Sequence, residues 1–508
     1  MVYVNTMNTP GTEVPDQDIS SQRAHVTAPG ETGPQNTGLS RHWITAILFL
    51  GVFAFCVPTI PSVDTWWHLA TGRYILQTHG VPHADPFSAT VAGKPWIAHE
   101  WLAAVVFYLG FLPLGSAGLL LLTAFVLTLS FLLAYQRSGG PLPARILSLA
   151  LGVWATTPIF CVRPQIFTYL LASFFIAVLT RFFNKGSYRP LFVLPLLTIL
   201  WVNLHGAYIL GPTIILLFAA GAVCDWVAGQ AEPAVTKRRV ILLLITCAVC
   251  LTVVPLNPNG IAMLSYPFAT LNSSGIQTGI MEWRSPDFHL AIFRPFAALL
   301  FITVGVLALS PKRPRPSQVL LFVFFSLTAL YAMRNLPLFV LVAFPLAAEY
   351  AYWPNWKLPS WSFGLQKPLQ AAMLLLVAIV AAKIASDHIG RELDLELTRL
   401  PVRAASYLDA QKLPGPLFNS YEFGGYLIWR LYPRYRVYVD GRTDLYGDAF
   451  LDNFIQVYEV NTDPRVALNH DGIRTVLVDS RSALASFLRT QTEWKRVYED
   501  PVAVIFSR

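Results

Sequence analysis

The chain has 508 residues, of which 54% are hydrophobic and only 13% charged, and its formal net charge is +8. Soluble domains carry roughly 25% charged residues, and large soluble proteins divide into domains instead of absorbing so much apolar surface in one core. The composition therefore excludes an ordinary soluble protein. Because the basic residues lie in short loops between apolar blocks, the positive charge indicates membrane topology and no nucleic-acid binding.

The first residues differ from everything that follows. Residues 1–42 are rich in Thr, Pro, Gly, Gln and Asp and have almost no apolar periodicity, which predicts a disordered tail. They lack the succession of basic start, short apolar run and small-residue cleavage site that marks a cleavable signal peptide. A transmembrane region is expected to begin at residue 43 and to end at residue 387.

Apolar blocks of helix-spanning length fill this region and predict about eleven transmembrane helices. The blocks are 43–60, 115–135, 146–161, 165–183, 190–203, 207–227, 240–256, 293–310, 317–333, 336–351 and 369–386. The apolar stretch 101–113 follows a polar loop and contains Pro113. It is interpreted as an interfacial helix, with the start of the second span as the alternative.

The loops alternate in their content of Lys and Arg, and this asymmetry predicts orientation. One set carries Arg137, Arg145, Arg181, Lys185, Arg189, Lys237, Arg238, Arg239, Lys312, Arg313, Arg315, Lys357 and Lys367. The opposite set carries far fewer basic residues. We therefore expect a cytoplasmic N-terminus and an extracytoplasmic C-terminal domain.

Residues 388–508 change character, because apolar runs shrink to strand length and alternate with helical patterns. The expected strands are Pro416–Asn419, Arg436–Val439, Thr475–Val478 and Val502–Phe506. The expected helices are Val402–Gln411, Asp448–Glu459 and Ala483–Gln491. This alternation predicts a small α/β domain. The fold class is thus a mainly α membrane bundle with a C-terminal soluble α/β domain.

Unusual polar residues gather in the loops assigned to the outer face. The long first loop, residues 61–100, contains Asp64, His68, His99 and Glu100 together with several tryptophans. Later outer breaks supply Arg163, His205, Glu282, Arg284, Asp287 and Arg334. Ionisable groups at the ends of membrane spans are costly unless they line a cavity or have partners. For each residue alone, helix capping or headgroup anchoring remains the alternative.

The spacing of Asp64 and His68 places both side chains on one face if their segment is helical. Such a pair can bind a divalent cation, Mg²⁺ or Mn²⁺, orient a base, or simply form a hydrogen bond. The sequence contains no H-E-x-x-H, Walker A or G-x-G-x-x-G motif. Metalloprotease, ATP-driven and nicotinamide chemistry therefore lose their usual support.

A first span followed by a long outer loop with an acid, then a many-helix body and an outer domain, resembles the GT-C superfamily of membrane glycosyltransferases. The first loop also looks like a group of bacterial membrane proteins with a D-x-WWH…P-x-x-D-P-F-S motif, here Asp64–Ile75 and Pro82–Ser88. That likeness extends through most of residues 43–508. The paired acids in the first loop of many GT-C members are missing here.

The resemblance implies transfer of a sugar from a polyprenyl-phosphate-linked donor to a glycan, lipid or protein acceptor, at the outer face of a bacterial cytoplasmic membrane. It assigns catalysis to Asp64 and Glu100, and binding of the donor phosphate suits Arg163, Arg284 and Arg334. Substrate contacts are expected from Trp67, His68, His99, His205, Glu282, Asp287, Asp440, Arg442 and Asp444. For Trp67, the alternative to substrate binding is anchoring in the membrane. For Asp440 and Arg442, the alternative is a structural ion pair.

Two other functions remain open from the sequence. One is a non-catalytic membrane scaffold in the assembly of envelope polysaccharide or glycoconjugates, which the missing acid pair favours. The other is a transporter or flippase, which predicts charges deep inside spans and broken helices in matching halves. Few charges lie in the middle of the apolar blocks, so this alternative ranks below the other two.

Overall fold

A computed structural model describes residues 41–58, 63–272, 281–352 and 367–508 of the chain. The predicted tail lies outside the described residues, except for Arg41 and His42, which belong to the first helix. The described part is a bundle of apolar helices joined to a small domain that contains one four-stranded sheet. The expected fold class is confirmed.

Fourteen α-helices build the described part of the bundle and its loops, numbered here in chain order. They are α1 Arg41–Phe55, α2 Val63–Thr78, α3 Trp101–Leu114, α4 Ser116–Arg137, α5 Leu142–Thr156, α6 Gln165–Lys185, α7 Val193–Leu204, α8 Leu210–Val227, α9 Pro233–Thr252, α10 Ala262–Asn272, α11 Arg294–Leu309, α12 Pro316–Tyr331, α13 Leu336–Tyr350 and α14 Lys367–Arg399. Short 3₁₀ turns extend several of them, among them Gly206–Ile209 before α8 and Met281–Trp283 ahead of α11.

Seven described helices, some with an adjoining 3₁₀ turn, are long and apolar enough to cross a membrane. They are Ser116–Arg137, Leu142–Ile159, Gln165–Lys185, Gly206–Val227, Pro233–Leu256, Ala291–Leu309 and Ala371–Arg399. The other four predicted spans correspond to apolar helices of 12 to 16 residues. Three of these helices, α1, α7 and α12, have exposed Leu, Val or Phe side chains, as a lipid-facing surface requires. The chain is a multi-pass membrane protein.

Two helices show how the bundle is organised. Helix α13 is buried along almost its whole length, so protein surrounds it on all sides. Helix α14 has 33 residues and therefore a length of about 50 Å. It leaves the apolar region without a break and continues through residue 387, where the sequence predicts the domain boundary. That boundary remains a prediction.

The C-terminal domain has four strands and six helices. The helices are α15 Val402–Gln411, α16 Tyr421–Leu431, α17 Thr443–Tyr446, α18 Asp448–Tyr458, α19 Pro464–His470 and α20 Ala483–Leu488. The strands are β1 Leu417–Asn419, β2 Thr475–Asp479, β3 Lys495–Glu499 and β4 Ala503–Ser507. The sheet order is β1-β2-β4-β3, with β1 parallel to β2 and the other pairs antiparallel. Apolar residues of β2 and β4 form the core.

Three of the four predicted strands are present, but the prediction for Arg436–Val439 is wrong. Val437 pairs with Ser88 of the first loop instead of with the sheet. The Ala89 amide donates to the Val437 carbonyl at 2.8 Å, and the Val437 amide donates to the Phe87 carbonyl at 3.2 Å. An apolar run that satisfies its backbone groups against a distant loop has the same sequence signature as a strand. This segment therefore attaches the first loop to the C-terminal domain.

Candidate functional site

A cavity of about 700 Å³ lies where the first loop, the ends of several bundle helices and the C-terminal domain meet. Its walls come from segments far apart in the sequence. From the bundle and its loops come Asp64, Trp67, His68, Trp96, His99, Glu100, Trp101, Arg163, Gln165, His205, Tyr266, Glu282, Trp283 and Arg334. From the C-terminal domain come Tyr421, Glu422, Gly441, Arg442, Thr443, Asp444, Asp448, Asp452, Phe454, Tyr458 and Glu459.

Helix α2 presents three polar side chains to this cavity. Asp64, Trp67 and His68 share one helical face because they are three and four residues apart. The indole N–H of Trp67 donates to Asp64 Oδ1 at 3.0 Å, and the Trp67 ring lies 3.6 Å from the His68 ring, centre to centre. Trp67 is thus a wall of the cavity, and its hydrogen bond fixes the orientation of the Asp64 carboxylate.

Arg163 bridges two carboxylates at one end of the cavity. One of its terminal nitrogens lies 2.7 Å from Asp64 Oδ2, and the other lies 2.6 Å from Glu282 Oε2. Burial would lower the pKa of Arg163, but Asp64 and Glu282 raise it above its usual value. The guanidinium is therefore permanently charged and largely neutralised by its two partners.

Three imidazoles surround the Glu100 carboxylate. The Nε2 atoms of His99 and His205 lie 3.4 Å and 3.5 Å from Glu100 Oε1, and His68 Nε2 lies 3.5 Å from Oε2. Burial would raise the pKa of Glu100, but His99, His205 and His68 hold it well below its usual range. Glu100 is therefore an ionised carboxylate inside the protein, stabilised by N–H donors.

The three histidines differ in their protonation. Burial lowers the pKa of His68 to about 4 and that of His205 to about 3, although Glu100 opposes both shifts. Burial would also lower the pKa of His99. The negative charge of Glu100, the hydrogen bond between His99 and Glu100, and the negative charge of Asp444 instead raise this pKa above the usual value. At neutral pH His68 and His205 are uncharged, so His99 is the imidazole of the three that takes a proton most readily.

Arg334 has a different environment from Arg163. Its guanidinium lies over the Trp283 ring, 4.5 Å from the ring centre, and no carboxylate in the described part of the chain forms a salt bridge with it. The positive charge of Arg334 therefore faces the cavity without a fixed negative partner. A planar guanidinium in this position suits a phosphate.

The Asp64–His68 metal site predicted from the spacing does not form. Both Asp64 oxygens are occupied by Trp67 and Arg163, and His68 Nε2 faces Glu100. Across residues 41–58, 63–272, 281–352 and 367–508, no group of three or more His, Cys, Asp or Glu side chains is arranged to hold a metal ion. Mg²⁺ and Mn²⁺ require several free oxygen ligands, and these residues do not supply them.

Asp440 and Arg442 connect the C-terminal domain to the first loop. Arg442 binds both Asp440 oxygens and also donates to Asp85 Oδ1 at 2.6 Å, with all three side chains buried. This geometry is that of the structural ion pair, the alternative that the sequence left open. The neighbouring Gly441 lies directly on Asp64, where a side chain would overlap the Asp64 Oδ1 atom. The domain thereby covers Asp64 as a lid.

The cavity collects most of the residues singled out in the sequence. Asp64, Trp67, His68, His99, Glu100, Arg163, His205, Glu282, Arg334, Arg442 and Asp444 all line it. Asp440 lies behind the wall, and Arg284 and Asp287 are exposed outside it. Tyr266 and the acidic face of α18 line the cavity but were missed. The spacing of Asp448, Asp452 and Glu459 on one helical face is a signal that could have identified the latter.

Comparison with known proteins gives matches in structure alone. No family model matches the sequence, and no curated protein is similar to it. The chain superimposes on the archaeal oligosaccharyltransferase AglB from Archaeoglobus fulgidus, in complex with an inhibitory peptide and a dolichol-phosphate, with a TM-score of 0.52 at 12% identity. This match covers 86% of this chain and 69% of that one. The fold is that of the GT-C glycosyltransferases.

Two further structures are similar to the chain. The Archaeoglobus fulgidus oligosaccharyltransferase tethered with an acceptor peptide matches with a TM-score of 0.51 at 12% identity, over 87% of this chain and 69% of that one. ArnT from Cupriavidus metallidurans bound to undecaprenyl phosphate has a TM-score of 0.46 at 14% identity, over 92% and 98%. In this GT-C fold, the cavity described above lies between the bundle and the C-terminal domain.

Proposed function

We propose that this chain is a membrane glycosyltransferase that moves a sugar from a polyprenyl-phosphate-linked donor to a glycan, lipid or protein acceptor. The reaction takes place at the outer face of a bacterial cytoplasmic membrane. The observation that carries the proposal is the charge arrangement of one cavity. It combines Arg334, which forms no salt bridge with a carboxylate of the described residues, with the carboxylates of Asp64 and Glu100. The GT-C fold of the chain supports the same reaction class.

Arg334 is the proposed site of the donor phosphate. Its guanidinium offers several parallel N–H donors, and the Trp283 ring beneath it fixes the plane. Arg163, in contrast, already holds two carboxylates at 2.6 Å and 2.7 Å. Binding a phosphate at Arg163 requires loss of at least one of these ion pairs. Arg163 therefore positions Asp64, and Arg334 binds the donor.

The transfer step follows from these positions. The acceptor hydroxyl attacks the anomeric carbon of the donor sugar while the bond from that carbon to the phosphate oxygen breaks. The hydroxyl proton passes to the acidic cluster of Asp64 and Glu100, and Arg334 stabilises the charge on the departing polyprenyl phosphate. Trp67 forms an aromatic wall for the sugar ring. No step passes through a metal ion, because the carboxylates present no free ligand set.

Replacement of Asp64 tests the proposal. The full-length protein in lipid nanodiscs is offered a panel of undecaprenyl-phosphate-linked radiolabelled sugars, with an envelope extract as the source of acceptors. We expect Asp64→Asn to reduce transfer by roughly a hundredfold or more, the range for loss of a group acting in proton transfer. Added Mg²⁺ or Mn²⁺ leaves the rate unchanged.

Asp287→Asn is the matched control, because Asp287 is an exposed acid outside the cavity. Thermal unfolding of both variants shows whether the fold is kept. Transfer by Asp64→Asn at the wild-type rate contradicts the mechanism. Absence of transfer by the wild-type protein from every donor favours the scaffold function instead.

A further inference from the structure

A continuous series of hydrogen-bonding groups leads from the partly buried Glu100 to the exposed Asp444. His99 Nε2 lies 3.4 Å from Glu100 Oε1 and 3.3 Å from the Tyr266 hydroxyl oxygen. The Tyr266 hydroxyl donates to Asp444 Oδ2 at 3.2 Å. The rings of His99 and Tyr266 are also in contact, with their centres 4.3 Å apart and their planes tilted by 38°. These groups belong to the first loop, to α10 and to the C-terminal domain.

His205 cannot take part in this series, because its other nitrogen is occupied by two donors. The Ala207 amide donates to His205 Nδ1 at 3.2 Å. The Trp201 indole donates to Thr168 Oγ1 at 2.9 Å, so the Thr168 hydroxyl hydrogen is directed to His205 Nδ1 at 2.8 Å. His205 therefore carries its proton on Nε2 and acts as a fixed donor to Glu100.

His68 is excluded for a different reason. Its ring is buried between Trp67 and Phe107, and in the described part of the chain its Nδ1 atom has no hydrogen-bond partner. A second proton on His68 would lie on this enclosed nitrogen, where nothing stabilises the charge. Both His68 and His205 thus hold the Glu100 carboxylate in place without accepting a proton from it.

His99 alone of the three histidines is placed to pass a proton on. Its Nδ1 donates to the Ile97 carbonyl at 3.2 Å, so an incoming proton binds at Nε2. That atom faces both Glu100 and Tyr266. Glu100 and Asp444 favour the protonated ring. Other charged or titratable groups around the cluster are Asp64, Arg163, Arg334, Arg442 and the two other imidazoles.

We infer that Tyr266 and Asp444 form a proton exit, which carries the acceptor's proton from the Glu100–His99 pair to the water outside the cavity. This inference rests on the proposed function, in which an acceptor hydroxyl loses a proton. The proton passes from the acceptor oxygen to the pair, and His99 Nε2–H donates it to the Tyr266 oxygen. Tyr266 simultaneously gives its own hydroxyl proton to Asp444, whose carboxyl releases it to water. One proton enters and one leaves.

The distances are those of a site before substrate binds, because hydrogen bonds used in catalysis commonly shorten when the substrate arrives. The series also crosses from the bundle to the C-terminal domain at Tyr266 and Asp444. Proton release therefore depends on docking of the domain against the cavity, and the lid formed at Gly441 belongs to the same docking.

The first experiment measures transfer by Tyr266→Phe at several concentrations of 4-methylimidazole, a small proton carrier. Phe keeps the ring in contact with His99 and removes only the hydroxyl. We expect kcat to fall roughly tenfold to a hundredfold, the lower part of the range for proton transfer, with an unchanged KM for the donor. Added 4-methylimidazole restores most of the loss, since it carries the proton in place of the hydroxyl.

Tyr435→Phe is the control, because the Tyr435 hydroxyl bonds the Leu413 carbonyl at 2.8 Å within the C-terminal domain and lies outside the cavity. Its kcat stays at the wild-type value. If 4-methylimidazole does not restore the kcat of Tyr266→Phe, the proton exit is overturned and Tyr266 is a packing residue. An increase in the KM for the donor in place of a fall in kcat has the same consequence.

A second experiment needs no transfer and separates the exit from the proposed function. The histidines of full-length protein in nanodiscs are labelled with ¹⁵N, and the His99 signal is assigned with His99→Gln. We expect Asp444→Asn to lower the apparent pKa of the Glu100–His99 pair, since it removes a negative charge that favours protonated His99. An unchanged titration overturns the coupling to Asp444, whereas failure of wild-type transfer alone overturns only the glycosyltransferase function.

Discussion

At the scale of single residues, the two arginines that line the cavity differ in their interaction partners. Arg163 lies between Asp64 and Glu282, and these two carboxylates neutralise its charge. Arg334 has an aromatic ring beneath it and the open cavity in front. Identical side chains therefore serve different purposes, and the difference comes from neighbours that are distant in the sequence.

This difference leads to a prediction for Arg334. Replacement of Arg334 by Ala removes charge-assisted hydrogen bonds, which contribute about 1.5–3 kcal/mol when one partner is charged. We expect the affinity for undecaprenyl phosphate to fall roughly tenfold to a hundredfold. Binding is measured by thermophoresis of the protein in nanodiscs with undecaprenyl phosphate as the probe.

Arg284→Ala is the comparison variant, because Arg284 is an exposed arginine that directly follows Trp283 and lies outside the cavity. Its affinity should match that of the wild type. Equal losses in the two variants would mean that undecaprenyl phosphate responds to surface charge in general and does not bind at Arg334.

Arg442 shows the opposite use of an arginine. It is enclosed by Asp440, Asp85 and the ring of Trp96, and only 1% of it is exposed. Breaking a buried ion pair by removing one partner generally costs about 3–5 kcal/mol, because the other charge stays buried. Arg442 therefore fixes the first loop to the C-terminal domain.

At the scale of elements, the position of α2 on α3 determines the spacing of the acids. Gly72 of α2 lies against the Ala104 carbonyl and the Tyr108 side chain of α3. Asp64 and His68 lie on α2, whereas Glu100 precedes α3 directly. Any separation of the two helices therefore moves Asp64 and His68 away from Glu100.

Gly72→Ala tests this packing. A methyl group there overlaps the Ala104 carbonyl oxygen, and overpacking of this kind costs about 1–3 kcal/mol. We expect a lower thermal unfolding midpoint and a lower transfer rate. Gly51→Ala is the control within helix α1, where nothing lies within 4 Å of the added methyl group. It should unfold no earlier than the wild type, since Ala favours helices over Gly. Equal destabilisation by both would contradict the close contact of α2 with α3.

Helix α18 shows what an amphipathic pattern can and cannot predict. The sequence correctly predicts a helix from Asp448, and the structure ends it at Tyr458. Its acidic residues follow a helical period, which indicates a polar face. This face lines a cavity shared with α2 because of the way the C-terminal domain packs against the bundle. Domain packing produces no periodic pattern in the sequence that could predict it.

At the scale of the whole molecule, the proposal requires the cavity and the C-terminal domain to lie outside the cytoplasm. The distribution of Lys and Arg predicts this orientation. With the five native cysteines replaced, Thr490→Cys in the C-terminal domain should react with a membrane-impermeant maleimide on intact cells. Lys312→Cys, in a basic loop, should react only after the membrane is permeabilised. The reverse labelling pattern would contradict the proposal that the reaction takes place at the outer face of the membrane.

Some features of this protein follow from the sequence alone. Local composition predicts the apolar helices. In a membrane, a helix satisfies its backbone N–H and C=O groups by its own hydrogen bonds, whatever its neighbours are. Helical periodicity predicts α15, and apolar runs of strand length predict β1, β2 and β4. The signal is weaker for α16, whose Gly424 and Gly425 lower helix propensity, and for the polar edge strand β3.

The arrangement of the site was decided by tertiary structure. A sequence lists Asp64, Glu100, His205 and Tyr266 as scattered polar residues, and their partners are set by long-range packing of helices, loops and domain. The pairing of Asp64 with Arg163 in place of a metal, and the burial of Asp440, arise for this reason. The energy of a charge interaction depends on distance and on burial, so each pKa and each role depends on a geometry that only the folded chain defines.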